Sequence, residues 1–189
     1  MNEIEWAKSV QELMSTRLKK YDSILSLHQG AQLPYASEIL LYKEKSPIKH
    51  GETSYETDLL VVENIDEETW KPRVVIETKF ARVSTHDAIT YSEKAFTHKR
   101  VHPYLRYGIL LGNRKHYPLP GRLFRHGLYF DFMLSWAAET ATEKEERSLL
   151  DILIDEVEAS RNLEEILYNS RSSNRKKYIG LHKPLRLRE

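Results

Sequence analysis

The sequence predicts an α/β protein. Two segments with apolar residues at helical spacing lie towards its ends, over residues 4–27 and 142–167. Between them come short runs rich in β-branched and aromatic residues, at 55–62, 73–80 and 104–111. Each is bounded by polar or turn-forming stretches, which is how strands read. A chain of 189 residues fits one domain with a substantial core. We place that domain at 1–170 and a basic tail at 171–189.

The first helix is predicted over 4–27, because Ala7, Val10, Met14, Leu18, Tyr21 and Leu25 share one face, with Gly30 as its stop. Ile39, Leu40, Leu41 and Tyr42 form a first strand, with Glu38 just before it. The runs 55–62 and 73–80 are the next two strands. Their link, 63–72, is short and polar, so an antiparallel hairpin is the natural connection. Closing it with Val62 opposite Arg73 brings Asp58 opposite Glu77. Directly opposed residues have Cβ atoms roughly 4.5–5.5 Å apart. Glu77 and Lys79 are two apart and share a face, so all three charged groups converge beside apolar neighbours. Charge in such surroundings is costly unless it is paired or holds a metal. Two close carboxylates suit Mg²⁺, a hard cation with oxygen ligands. A lysine beside it suits charge developing on a phosphate.

Ser84 and Asp87 offer caps for a second helix to about Val101, ended by Pro103. It carries Tyr91, Lys94, Lys99 and Arg100, and a His98/His102 pair at a spacing that can chelate zinc. With Pro103 ending the helix and no acid nearby, no zinc site is expected. A strand at 104–111 follows, stopped by Gly112 and Asn113. Residues 114–127 read as a loop with Arg114, Lys115, Arg122 and Arg125 and no acid. A strand at 128–136 and the helix at 142–167 complete the order.

Asp58 followed by Glu77-Thr78-Lys79 resembles the signature of the PD-(D/E)XK nuclease superfamily, with Thr57 where proline is usual. The resemblance extends over about 37–113, in the order helix, three-stranded meander, helix, strand. It implies a restriction-endonuclease-like core, a mixed central β-sheet flanked by helices. It implies that Asp58, Glu77 and the backbone carbonyl of Thr78 hold Mg²⁺ and that Lys79 activates water. It also implies a third acid. Glu38 is the better candidate, since a hairpin joining 39–42 to 55–62 sets it beside Asp58, and Glu12 of the first helix is the alternative. Lys94, and then Tyr91, are the residues expected to face the scissile phosphate. Arg114, Lys115, Arg122 and Arg125 are expected near DNA.

Composition narrows the function classes. The net charge of +1 hides a polarised chain: residues 142–168 hold nine acids against three bases, and 171–189 seven bases against one acid. A basic tail is what phosphate contacts need, and a solubilising end has the same composition. There is no cysteine, so no disulfide framework and no thiolate zinc site. No apolar run approaches a membrane span and no signal pattern opens the chain, so a cytoplasmic protein is expected. The Gly-x-x-x-x-Gly-Lys phosphate loop is absent, so no nucleotide cofactor is expected. The expectation is a Mg²⁺-dependent DNA endonuclease, within that class a type II restriction endonuclease acting as a homodimer. A repair or junction-resolving nuclease would use the same groups. A non-catalytic nucleic-acid-binding module, or an interaction protein using the acidic helix, are the readings from other classes.

Overall fold

A computed structural model describes residues 1–116, 118–169, 171–174 and 176–188. Tyr117 in the 114–127 segment, Ser170 at the domain's end, and Arg175 and Glu189 of the basic tail lie outside the described residues. The elements run α1 (Glu3–Tyr21), β1 (Leu25–Gln29), β2 (Gln32–Lys43), β3 (Ser46–Glu56), β4 (Leu59–Asn64), β5 (Trp70–Phe80), α2 (Thr85–Val101), β6 (Arg106–Gly112), α3 (Gly121–His126), β7 (Phe132–Ser135) and α4 (Glu143–Tyr168). The α/β class holds. A five-stranded mixed sheet has the order β1-β4-β5-β6-β7, antiparallel from β1 to β5 and parallel from β5 to β7. Helices cover both faces. Trp6, Val10, Met14 and Leu18 of α1 and Leu149, Leu153 and Val157 of α4 pack on Leu59, Val61, Val74 and Ile76. Ala95 of α2 packs with Leu60, Val62, Val75 and Tyr107 on the other face, and Leu123 of α3 packs there with Ile109 and Leu111.

Covering on both faces explains the unbroken apolar runs in β4 and β5, since strands in such a layer lose the alternation of a half-solvated sheet. The long helices start where side chains satisfy their first amides. Asn2 with Glu5, Ser84 with Asp87 and Thr142 with Glu145 each form a reciprocal capping box.

Several boundaries differ from the sequence expectation. The first helix ends at Tyr21, not near 27. Asp22 caps it, and Leu25 and Leu27 then point into the core from strand β1. Gly30 is not a helix stop. It turns β1 into β2 with φ of +71°, a conformation glycine adopts without steric cost. The run 55–62 is two pieces: Tyr55 and Glu56 end β3, Thr57 and Asp58 bridge, and β4 starts at Leu59. Residues 39–42 belong to a separate two-stranded ribbon, β2–β3, and the strand beside β4 is β1. The meander therefore begins near Leu25 rather than Ser37, with the ribbon inserted in it. The segment 114–127 contains a helix, α3, so it is not all loop.

The hairpin register holds from Leu59 opposite Ile76 to Val61 opposite Val74. It then shifts, so Val62 faces Pro72 and not Arg73. Proline has no N–H for the ladder, and a bulge accommodates it. Arg73 is thereby buried at 2% exposure. Its guanidinium meets Glu63 at 3.1 Å and Glu164 of α4 at 2.7 Å. Arg161 joins Glu63 at 2.6 Å and Asp22 at 2.8 Å, so one ionic cluster ties α4 to the hairpin and to the end of α1. Gly112 is needed for a close approach: a Cβ there would fall 2.4 Å from the Trp6 ring, which seats α1 on β6.

The described part of the tail is irregular and exposed, and it touches α4 through Lys176 to Glu165 at 4.0 Å and Arg188 to Ser148 at 3.3 Å. Among the described residues no helix is long and apolar enough to cross a membrane.

Candidate active site

Glu77 sits in the middle of β5, fully buried, and Asp58 enters from the bend before β4. The two strands bring them together as the register requires. The Thr78 amide and hydroxyl both donate to Asp58 Oδ2, at 2.7 and 3.0 Å. Glu77 Oε1 accepts from Lys94 Nζ at 2.9 Å and from the Tyr107 hydroxyl. Glu77 Oε2 is buried and has no hydrogen-bond partner. Burial, and then the Asp58 charge, push the Glu77 carboxyl above its ordinary range, against the pull of Lys94 and Tyr107.

Lys79 points to the rim beside these groups. Burial lowers its pKa, but Tyr91 and Glu3 more than offset this, so the ammonium is held above its ordinary value. Lys79 Nζ lies 2.9 Å from Glu3 Oε1 and 5.0 Å from the Tyr91 ring centroid. A cation so held orients a water or stabilises developing charge. It is a poor proton acceptor at neutral pH. That refines the water-activating role read from the sequence.

The third-acid expectations need correction. Glu38 lies opposite Gly51 on the exposed ribbon, because 39–42 pair with β3 and not with β4; it is not beside Asp58. Glu12 is exposed on α1. The acid that reaches the site is Glu3, which also accepts from the Phe80 amide at 3.2 Å. Sequence reasoning missed it because its position depends on where α1 docks. Trp6, one turn further on, packs against Phe80 with ring centroids 5.6 Å apart, and this swings the first turn over the end of β5. Tyr107 was also missed. A tyrosine in the middle of a buried strand needs a partner for its hydroxyl, and that was the available signal.

Lys94 and Tyr91, read as phosphate-facing, line the same site. Lys94 also donates to the Glu56 carbonyl at 3.2 Å and lies 5.5 Å from the Tyr55 ring centroid. Arg114 and Arg122 donate to the Ala81 and Val83 carbonyls at 2.6 and 3.1 Å. Those carbonyls belong to the segment leading from Lys79 to α2. Lys115 is exposed next to Arg114 in a shallow depression with Ala81 and His116. Arg125 is exposed on α3.

The donor set fits a hard divalent cation better than zinc. Among the described residues no group of three or more His, Cys, Asp or Glu could hold a metal. What the site offers is two carboxylates, one with an orphaned buried oxygen, next to the Thr78 backbone. Mg²⁺ binds through one or two carboxylates and keeps several waters.

His98 is buried behind the site. Its Nδ1 meets the Pro34 carbonyl at 3.0 Å, and its ring lies 5.7 Å from that of Tyr107. Burial pushes its pKa down from 6.5 to about 4, and burial lowers His102 as well. The unfolded chain thus takes up the proton first as pH falls. Stability from His98 is complete above pH 6.5 and is lost as pH drops towards 4. The full loss amounts to about 3 kcal/mol at 1.36 kcal/mol per unit. Urea unfolding of the parent is expected to weaken between pH 6.5 and 5, with a shallower slope in His98→Gln. Equal slopes would contradict a neutral buried imidazole.

No family model matches this chain, and no curated protein matches it.

Proposed function

We propose that the chain is a Mg²⁺-dependent DNA endonuclease, and within that class a cytoplasmic type II restriction endonuclease acting as a homodimer. One observation carries this reading. Half-buried Asp58 and fully buried Glu77, whose Oε2 is uncommitted, converge beside a lysine held as a cation. Asp58, Glu77 and the Thr78 carbonyl would hold the ion, which supplies Lewis-acid polarisation of the phosphate and a more acidic bound water. Tyr107 and Lys94 fix Oε1 of Glu77 and so aim Oε2. Lys79 steadies charge on the phosphate. Glu3 and Tyr91 keep that ammonium in place. A two-fold dimer would present one site to each strand of a symmetric duplex.

The test is a substrate panel. Duplex DNA of mixed sequence, a four-way junction and single strands are incubated with the purified protein in Mg²⁺, Mn²⁺, Ca²⁺ or EDTA. Double-strand breaks in duplex DNA with Mg²⁺ or Mn²⁺, and none with Ca²⁺ or EDTA, are expected. Cutting of junctions alone would favour a resolving enzyme, nicks alone a repair nuclease, and salt-dependent binding without cutting a non-catalytic module.

The basic rim gives a second expectation. Neutralising Arg114, Lys115, Arg122 and Arg125 together should weaken DNA binding and flatten its salt dependence, by roughly one unit of slope for each phosphate no longer neutralised. Binding like that of the parent at every salt concentration would place DNA elsewhere.

A further inference from the structure

The outer part of the β2–β3 ribbon is bare: every residue over 37–50 is exposed. The root of the ribbon is held to the rest of the molecule: Leu33 packs with Leu60 and Val75, the Pro34 carbonyl meets His98 at 3.0 Å, and Lys94 Nζ donates to the Glu56 carbonyl at 3.2 Å. Further out, Ile39, Leu40, Leu41, Tyr42 and Ile48 are each 49–57% exposed. Side chains alternate along a strand, so both faces of the ribbon are apolar there. A lone two-stranded ribbon is marginal in water, and contiguous exposed apolar surface marks a contact site.

Charge says what the contact is. The tip carries Lys43, Lys45 and Lys49 against Glu44. The root half, over 32–38 and 51–56, carries Glu38, Glu52 and Glu56 and no lysine or arginine. All six charges outside Glu44 are exposed. A ribbon basic at one end, acidic at the other and apolar between is complementary to itself when turned end for end. With three lysines against four glutamates over 32–56, the ribbon lacks the basic excess that phosphate contacts need.

We propose that the ribbon is a dimerisation arm, pairing antiparallel with the ribbon of a second copy about a two-fold axis near Ile39 and its cross-strand neighbour His50. Each basic tip then lies over the acidic root of the other copy, and the apolar bands meet at the axis. Such a contact is isologous and closes after two copies. One face supplies about half of these side chains, on the order of 500 Å² of apolar contact for the pair, and the tip-to-root charge pairs extend the contact along the ribbon. The arm deepens the homodimer reading above and rests on it. Glu56 closes the root two residues before Asp58, so the same element that joins the copies sets one carboxylate of each active site.

The test is sedimentation velocity of the full chain at micromolar concentration, without DNA or added metal. A dimer is expected. Leu41→Glu with Ile48→Glu should be monomeric at that concentration with an unchanged circular dichroism spectrum, since both residues are exposed. Lys45→Glu with Lys49→Glu should raise the dimer Kd by about tenfold or more, as should Glu52→Lys with Glu56→Lys. Combining the four should restore the dimer. A monomeric parent, a Leu41→Glu/Ile48→Glu variant that remains dimeric, or a fourfold variant that stays dissociated would each overturn the arm. So would a monomeric parent whose tip variant fails to bind DNA, which would make the ribbon a nucleic-acid contact. Association is read without cleavage. A dimeric parent that cuts nothing keeps the arm and loses the nuclease, and a cleaving monomer does the reverse.

Discussion

Glu77→Gln is expected to abolish DNA cleavage and, with it, the stabilisation of the fold by divalent cations. Glu77 is fully buried, burial and Asp58 push its carboxyl up, and its Oε2 has no partner. Lys94 at 2.9 Å offsets only part of the burial cost of that carboxylate, and a bound divalent cation would offset more. The parent should therefore gain melting temperature with Mg²⁺ or Mn²⁺, since a ligand bound only by the folded state stabilises it. The glutamine keeps the shape and the Lys94 and Tyr107 hydrogen bonds to one oxygen but removes the charge. It should gain nothing on adding metal and lose at least about a thousandfold in cleavage, roughly 4 kcal/mol of transition-state stabilisation. Differential scanning fluorimetry with and without Mn²⁺ reads the first of these outcomes. A variant that is stabilised by Mn²⁺ like the parent would remove Glu77 from the cation site.

Arg73→Met should cost about 3 kcal/mol of stability with little change in the geometry of the site. Removing one partner of a buried ionic cluster leaves charge uncompensated, at about 3–5 kcal/mol. The lower figure applies because Glu63 keeps Arg161 at 2.6 Å and Glu164 keeps Lys71 at 2.5 Å. Arg73 also lies 5.6 Å from the Tyr104 ring centroid, and methionine brings no cation to that ring. In a domain of this size the change corresponds to a fall of roughly 10 °C in melting temperature. The cation-induced shift should survive, because Arg73 lies at the far end of the hairpin from Asp58. A melting temperature equal to that of the parent would show the cluster to be net neutral.

The parts that were legible in the sequence are those where one physical constraint acts alone. The register of Leu59, Leu60 and Val61 against Ile76, Val75 and Val74 follows from two apolar runs closed by a short polar link. The capped start of α2 follows from Ser84 and Asp87. What failed depended on partners distant in sequence. Leu25 and Leu27 satisfy helical and strand spacing equally over so short a stretch, and only pairing with β4 decides. The ribbon faces water on both sides, so no burial pattern distinguishes it from a sheet strand, and Glu38 was carried to the wrong place with it. Pro72 shifts the register only at the hairpin's outer end, which spared Asp58 and Glu77. Glu3 and Tyr107 reach the site through the docking of α1 and the parallel pairing of β6, and neither leaves a mark in local spacing.

Cleavage of mixed-sequence duplex DNA in Mg²⁺ by the parent and by Asp58→Asn, side by side at equal concentration, tests the central claim most directly. The parent is expected to give discrete fragments that EDTA prevents. Asp58→Asn, which retains an acceptor for the Thr78 amide, is expected to give none while remaining folded. Intact DNA from a folded parent in both Mg²⁺ and Mn²⁺, or equal cleavage by the two proteins, would contradict a metal-dependent nuclease built on Asp58, Glu77 and Lys79.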